Sequence, residues 1–280
     1  MSCKQKVLKD YGFKTDNTVF TIAEIGINHG GEIDKAKRLI DSAAKTGVDA
    51  VKFQTYITEK RVSNESPIFE ILKKCELPFD VFPVLQEYAK SLGLEFFSTP
   101  FDIESVDFLE SIDCKIYKIA SFDVVNSELL RKIADTRKTL IISVGMANIE
   151  EIEKAYNILR EKTRQISILH CISAYPTKKE DANLAAIYSL KDRFDCVVGQ
   201  SDHTDDLQVP FYAVAAGAQI IEKHFKIDEK MDCVDASVSI TEKQMKSLVK
   251  KIRDLECILG NGDISITEAQ KACEGFRRFS

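Results

Sequence analysis

The sequence predicts an α/β protein, a single-domain (β/α)8 barrel of the TIM type. Short apolar runs rich in Val, Ile and Phe alternate with stretches whose apolar residues recur three and four positions apart, the pattern of βα units around a parallel sheet. Eight such runs occur, each followed by a helical pattern, which fits a closed barrel. The Gly-rich GxGxxG turn common in open doubly wound sheets is missing.

The first predicted strand covers 20–25 and leads into a helical stretch with Ala36, Ile40 and Ala43 on one face. The second covers 50–54. The connection that follows, from 55 to about 78, is longer than the others and mixes Lys, Glu, Asn and Pro, so it is a candidate lid. The third and fourth strands are placed at 94–98 and 116–120. Asp102 and Asn126 stand where short oxygen-bearing side chains cap the next helices. After the fifth strand, 140–144, Ile149, Ile152, Tyr156 and Leu159 mark a helix. Strands at 166–171, 196–199 and 219–224 follow, and Met245, Leu248, Val249, Ile252 and Leu255 form the apolar stripe of the last helix.

Composition agrees with one ordinary globular domain over 1–280. The chain of 280 residues is 44% hydrophobic and 30% charged with 12 Gly and 6 Pro, and no Ser/Gly/Pro-rich linker divides it. The net charge of −5 is small and the two signs are interspersed, which argues against a nucleic-acid partner. No signal peptide is visible in the first fifteen residues, and no apolar run nears the roughly 18 residues of a membrane span, so a cytoplasmic protein is expected. The eight cysteines, Cys3, Cys75, Cys114, Cys171, Cys196, Cys233, Cys257 and Cys273, are scattered without a CxxC pair and are expected as reduced thiols. Cys171, following a strand, is a minor candidate for a nucleophile.

Barrel active sites lie at the C-terminal ends of the strands. Here those ends are unusually polar: AEIGINHGG, VKFQTY, FFSTPFD, YKIASFD, ISVGM, LHCISAYPT, GQSDHT and IIEKHF. Of the four histidines, His203 and His224 follow the seventh and eighth strands, neighbours in a barrel. They can form a metal pair, or be two unrelated hydrogen-bonded side chains. Lys52 and Lys118 stand inside apolar strands, where an unpaired ammonium is costly. They either meet carboxylates of the protein or hold a polyanionic substrate together with Thr99, Ser121 and Ser201. A Schiff-base lysine is a third option.

These motifs, with EDANL after SAYPT, resemble the sialic acid synthases, which include N-acetylneuraminate, legionaminate and pseudaminate synthases. The resemblance runs from about residue 20 to 260, in the family's order and spacing. It implies a metal-dependent condensation of phosphoenolpyruvate with an open-chain N-acylated hexosamine, releasing phosphate by C–O cleavage. It further implies that His203 and His224 bind a divalent ion, Mn2+ first with Mg2+ or Co2+ as alternatives, and that Glu24 sits beside metal and sugar. Lys52, Gln54, Thr99, Lys118, Ser121 and Ser201 would bind phosphoenolpyruvate, and Asp123, Ser173, Tyr175 and Asp235 would line the rest of the pocket. Glu24, Lys52 and Lys118 are the expected catalytic residues.

Two local departures stand out. The family's Gly-Pro-Asp-His is Cys233, Val234, Asp235 and Ala236 here, and Ser173 replaces a frequent Asn. The family's C-terminal antifreeze-like domain, which caps the partner's barrel and brings an Arg to the sugar site, is not found. The expectation is therefore a fragment, a homodimer with an uncapped mouth, or a separate chain supplying the cap. The rival readings are a Schiff-base pyruvate aldolase or lyase using Lys118 or Lys52, and a phosphosugar-binding barrel without turnover.

Overall fold

The computed structural model describes residues 5–278. Cys3, Phe279 and Ser280 lie outside the described residues. The expected barrel is there: β1 (Phe20–Gly26), β2 (Ala50–Thr55), β3 (Glu95–Pro100), β4 (Ile116–Ile119), β5 (Thr139–Ser143), β6 (Ile166–Cys171), β7 (Val197–Asp202) and β8 (Ile220–His224) close in sequence order, with β1 paired to β8. All pairs are parallel, and every strand position is buried except Gln54 and Glu95. Strands covered on both faces read as continuous apolar runs rather than alternating ones, which is why those runs were legible.

Helices α1 (Ile33–Ala44), α2 (Thr58–Arg61), α3 (Phe69–Cys75), α4 (Phe82–Ser91), α5 (Ile103–Ser111), α6 (Ser127–Asp135), α7 (Ile149–Arg160), α8 (Ala186–Arg193), α9 (Gln208–Ala215), α10 (Glu242–Leu259) and α11 (Glu268–Lys271) complete the chain. The two expected caps are present. Asp102 accepts from Ser105 N at 2.7 Å and Asn126 from Leu129 N at 3.2 Å. At the bottom of the barrel Arg253 of α10 holds Asp49 Oδ2 and the Val19 carbonyl, both at 2.7 Å, tying the last helix to the starts of β1 and β2.

Two expectations need correction. The seventh strand begins one residue later than 196–199 and runs three farther, because Gln200, Ser201 and Asp202 pair with Ile221, Glu222 and Lys223. Their polar side chains hid the strand. The connection at 55–78 is not plain loop; it contains α2 and α3. Leu72 and Cys75 of α3 pack with Ile27 and Tyr56 in a satellite core, against which Val62 and Phe101 lie.

The seven cysteines among the described residues are free thiols. No helix among them is long and apolar enough to cross a membrane.

Candidate active site

The strand registers decide which side chains meet. Glu24 of β1 sits level with Lys52 of β2 and with His224 of β8. Ser201 of β7 sits level with Glu222 of β8. Alternation along β8 puts Glu222 and His224 on one face and Lys223 on the other, where Lys223 Nζ pairs with Asp202 Oδ2 at 2.6 Å. The result is a cavity of about 390 Å³ at the C-terminal mouth.

Its floor is a buried charge network. Lys52 Nζ lies 3.3 Å from Glu24 Oε2 and 3.4 Å from Glu222 Oε2, and donates to Thr99 Oγ1 at 3.2 Å. Lys118 Nζ lies 3.5 Å from Glu222 Oε1, to which Ser201 donates at 2.8 Å. The lysines therefore meet carboxylates of the protein and at the same time line the cavity.

Burial pulls both ammonium groups down, but the two lysines differ. Glu222 and Glu24 outweigh burial at Lys52, so its pKa is raised. Lys118 has the weaker partner set and falls to about 8. The two carboxylates are likewise pushed apart. Burial raises Glu24 despite Lys52, whereas Lys118 and Lys52 overcome burial at Glu222 and hold it at about 2. A pair of carboxyls so divided offers a proton holder beside a fixed anion.

The two histidines do converge, with ring centroids 5.4 Å apart. His203 Nδ1 donates to the Ile172 carbonyl at 2.9 Å, which leaves Nε2 with its lone pair. Burial, then His224, pushes its pKa to about 3. His224 Nδ1 lies 3.3 Å from Asp235 Oδ2. Burial lowers the pKa of His224, but Asp235 and Glu24 outweigh it and the net shift is upward. The Tyr175 ring stands 4.2 Å from that of His203.

Gln54 bridges the floor and the connection above it, donating to Glu24 Oε1 at 3.3 Å and accepting from Arg61 Nη1 at 2.9 Å. Ser121 lines the cavity while its hydroxyl accepts from Gly145 N at 3.0 Å.

Two residues expected to line the pocket, Asp123 and Ser173, are not among those bordering this cavity. Asp123 turns to accept from Asn126 Nδ2 at 3.2 Å. Ser173 is packed so closely against Gly145 that a Cβ there would lie 2.3 Å from its hydroxyl oxygen. Sequence reasoning missed Glu222, Arg61 and the apolar Ile68, Ile71 and Leu72, all of which line the cavity. Glu222 carried the same signal as Lys52, a charge inside an apolar strand. Nothing local marked Arg61.

Fold and mouth together define a barrel enzyme that works on a small, charged substrate above paired lysines and carboxylates. Comparison with known proteins makes this specific. Residues 39–264 match the NeuB family, and the chain belongs to it. It is 40% identical over 258 residues to N,N'-diacetyllegionaminic acid synthase of Campylobacter jejuni, covering 86% of this chain and 77% of that one. To pseudaminic acid synthase of the same species it is 36% identical over 271 residues, covering 91% and 79%. The crystal structure of N-acetylneuraminic acid synthetase from Leptospira borgpetersenii, in complex with citrate, superposes with a TM-score of 0.90 at 37% identity, covering 92% of this chain and 91% of that one. The protein is thus a phosphoenolpyruvate-dependent synthase of the sialic-acid type.

Proposed function

We propose that the protein condenses phosphoenolpyruvate with an N-acylated hexosamine in a metal-dependent reaction, giving a nonulosonate and phosphate. The observation that carries this reading is the floor itself. Lys52 and Lys118, with Thr99, Ser121 and Ser201 around them, converge on one cavity beside His203 and His224.

The donor set fits a divalent first-row ion, Mn2+ foremost. His203 Nε2 keeps its lone pair, His224 Nδ1 faces Asp235 Oδ2 at 3.3 Å, and the carboxylates of Glu24 and Asp235 are in the same cavity. Among the described residues no three His, Cys, Asp or Glu side chains form a ready-made metal site; His203 and His224 are assigned to hold the ion because their rings converge at the mouth. When bound, the ion supplies Lewis-acid polarisation of the sugar aldehyde.

The side chains account for the rest. Lys52 and Lys118 hold the anionic groups of phosphoenolpyruvate and orient its C3 toward the aldehyde carbon. As the new C–C bond forms, the aldehyde oxygen gains an electron pair and takes a proton, for which Glu24 is placed and tuned. Water adds to the cationic C2 with loss of a proton, and the tetrahedral intermediate collapses by C–O cleavage to release phosphate. The ionised Glu222 stabilises that cation and keeps both lysines in place.

A phosphate-release assay with phosphoenolpyruvate and a panel of N-acyl hexosamines tests this. Activity should vanish with chelator and return with Mn2+; release that ignores chelator defeats the metal assignment. One observation favours a second reading, a Schiff-base pyruvate aldolase: the depressed pKa of Lys118, about 8, suits an amine nucleophile. Borohydride trapping of pyruvate on Lys118 would support that alternative.

A further inference from the structure

Arg61 is a cation that the reaction as proposed does not use. It ends α2, and its guanidinium lines the roof of the cavity. The group is firmly oriented. Its Cζ sits 3.6 Å from the Phe101 ring centroid and 4.6 Å from that of Tyr56, while Nη1 donates to Gln54 Oε1. A guanidinium presents several donors in a fixed fork, so most remain for a ligand. No carboxylate among the described residues lies within ion-pair distance of it; Glu24, Asp123 and Asp235 act on it only from farther away.

That acidic neighbourhood sets the ligand's charge. Glu24, reached through Gln54, and Asp235 share the cavity with the guanidinium and disfavour a further anion beside it, so the group it suits is a neutral acceptor such as an amide carbonyl. The same roof supplies an apolar wall. Ile68 and Ile71 remain 46% and 45% exposed, and both line the cavity with Leu72. An oriented donor beside open aliphatic side chains matches a group that carries a carbonyl and a methyl together.

We propose that Arg61 reads the N-acyl substituent of the acceptor sugar, donating to the acyl carbonyl oxygen while Ile68, Ile71 and Leu72 receive the acyl methyl. This rests on the condensation proposed above. The link from Arg61 through Gln54 to Glu24 fixes the position of the roof donor relative to the floor, so a seated acyl group places the aldehyde end near Glu24. A site built around such a donor rejects analogues that lack the acceptor.

Phosphate release by the full chain, loaded with Mn2+, tests it. The best acceptor of the N-acyl hexosamine panel is paired with the sugar carrying hydroxyl in place of the acylamino group. In Arg61→Ala the KM for the N-acyl acceptor should rise about 10- to 100-fold. The KM for phosphoenolpyruvate should stay within about twofold, the two acceptors should converge in kcat/KM, and Arg61→Lys should recover only part of the preference. Ile71→Asn should weaken the N-acyl acceptor alone. Thermal unfolding checks each variant, and if Arg61→Ala does not fold, Arg61→Lys and Ile71→Asn carry the test. Unchanged discrimination between the acceptors overturns the proposal, as does a phosphoenolpyruvate KM rising in step with that of the sugar. A wild-type chain that releases no phosphate with any N-acyl hexosamine defeats the condensation reading itself, and this proposal with it.

Discussion

Glu222 lies 3.4 Å from Lys52 and 3.5 Å from Lys118, so removing its charge leaves two buried ammonium groups with one carboxylate between them. Breaking a buried pair by deleting one partner costs about 3–5 kcal/mol. Glu222→Gln should therefore lower stability by that order in chemical denaturation, and added inorganic phosphate should restore part of the loss by pairing with the lysines. A variant as stable as wild type would show that the network contributes little. Lys118 allows a pH test at the same scale. With its pKa lowered to about 8, the ammonium is charged below that pH and neutral above it. Since kcat/KM reports the free enzyme, kcat/KM for phosphoenolpyruvate should fall as pH rises through about 8. Lys118→Arg keeps the charge and should remove this alkaline limb, whatever its own rate. A limb that survives the substitution belongs to another group.

The connection between β2 and β3 is the element that turns a barrel rim into a roofed cavity. Asp102 anchors it from outside: one carboxylate oxygen caps α5 at Ser105 N, and the other accepts from Ile57 N at 2.8 Å. Glu76, just past α3, accepts from Thr58 N at 3.0 Å, and the Tyr56 hydroxyl donates to the Leu72 carbonyl at 2.9 Å, so the connection also closes on itself. Loss of an N-cap costs about 0.5–2 kcal/mol. Asp102→Ala should lose that much in an unfolding titration and speed proteolytic cleavage between 57 and 76, while leaving the rest of the barrel protected. Cleavage spread evenly over the chain would mean that the connection is not a separate unit. Gly31 limits the same element from below. Its φ is +82°, and a Cβ there would stand 2.3 Å from the Lys74 carbonyl oxygen, so the turn after β1 and the end of α3 fit only without a side chain.

Closure of the whole barrel depends on close approach of its last strands. Gly199 of β7 has no room for a side chain: a Cβ would lie 2.4 Å from the Ile220 carbonyl oxygen and 2.7 Å from Leu169 Cδ2. Overpacking of this kind costs about 1–3 kcal/mol. Gly199→Ala should lower the unfolding midpoint accordingly and weaken activity, because β7 carries Ser201 and leads directly into His203, and β8 carries Glu222 and His224. A variant with wild-type stability and kinetics would show that the strands can separate there without effect.

The barrel itself was legible in the chain, since strands buried on both faces must be apolar throughout and helices packed on them must carry an apolar stripe. Lys52 and Lys118 were legible for the converse reason, that a charge inside such a strand needs a partner, and Glu24 through the strand-end motif AEIGINHGG that carries the resemblance. The histidine pair was legible because each member follows one of two adjacent strands. Which partner each charge takes was not written locally. Glu222 meets Lys52 and Lys118 through the barrel's closure, across strands far apart in the sequence. Asp123 and Ser173 meet Asn126 and Gly145, contacts set by how the loops pack and not by local sequence. Arg61 and the isoleucines of the roof emerged only with the folded β2–β3 connection. Periodicity records which face of an element is buried, whereas distances between elements depend on how all of them pack at once.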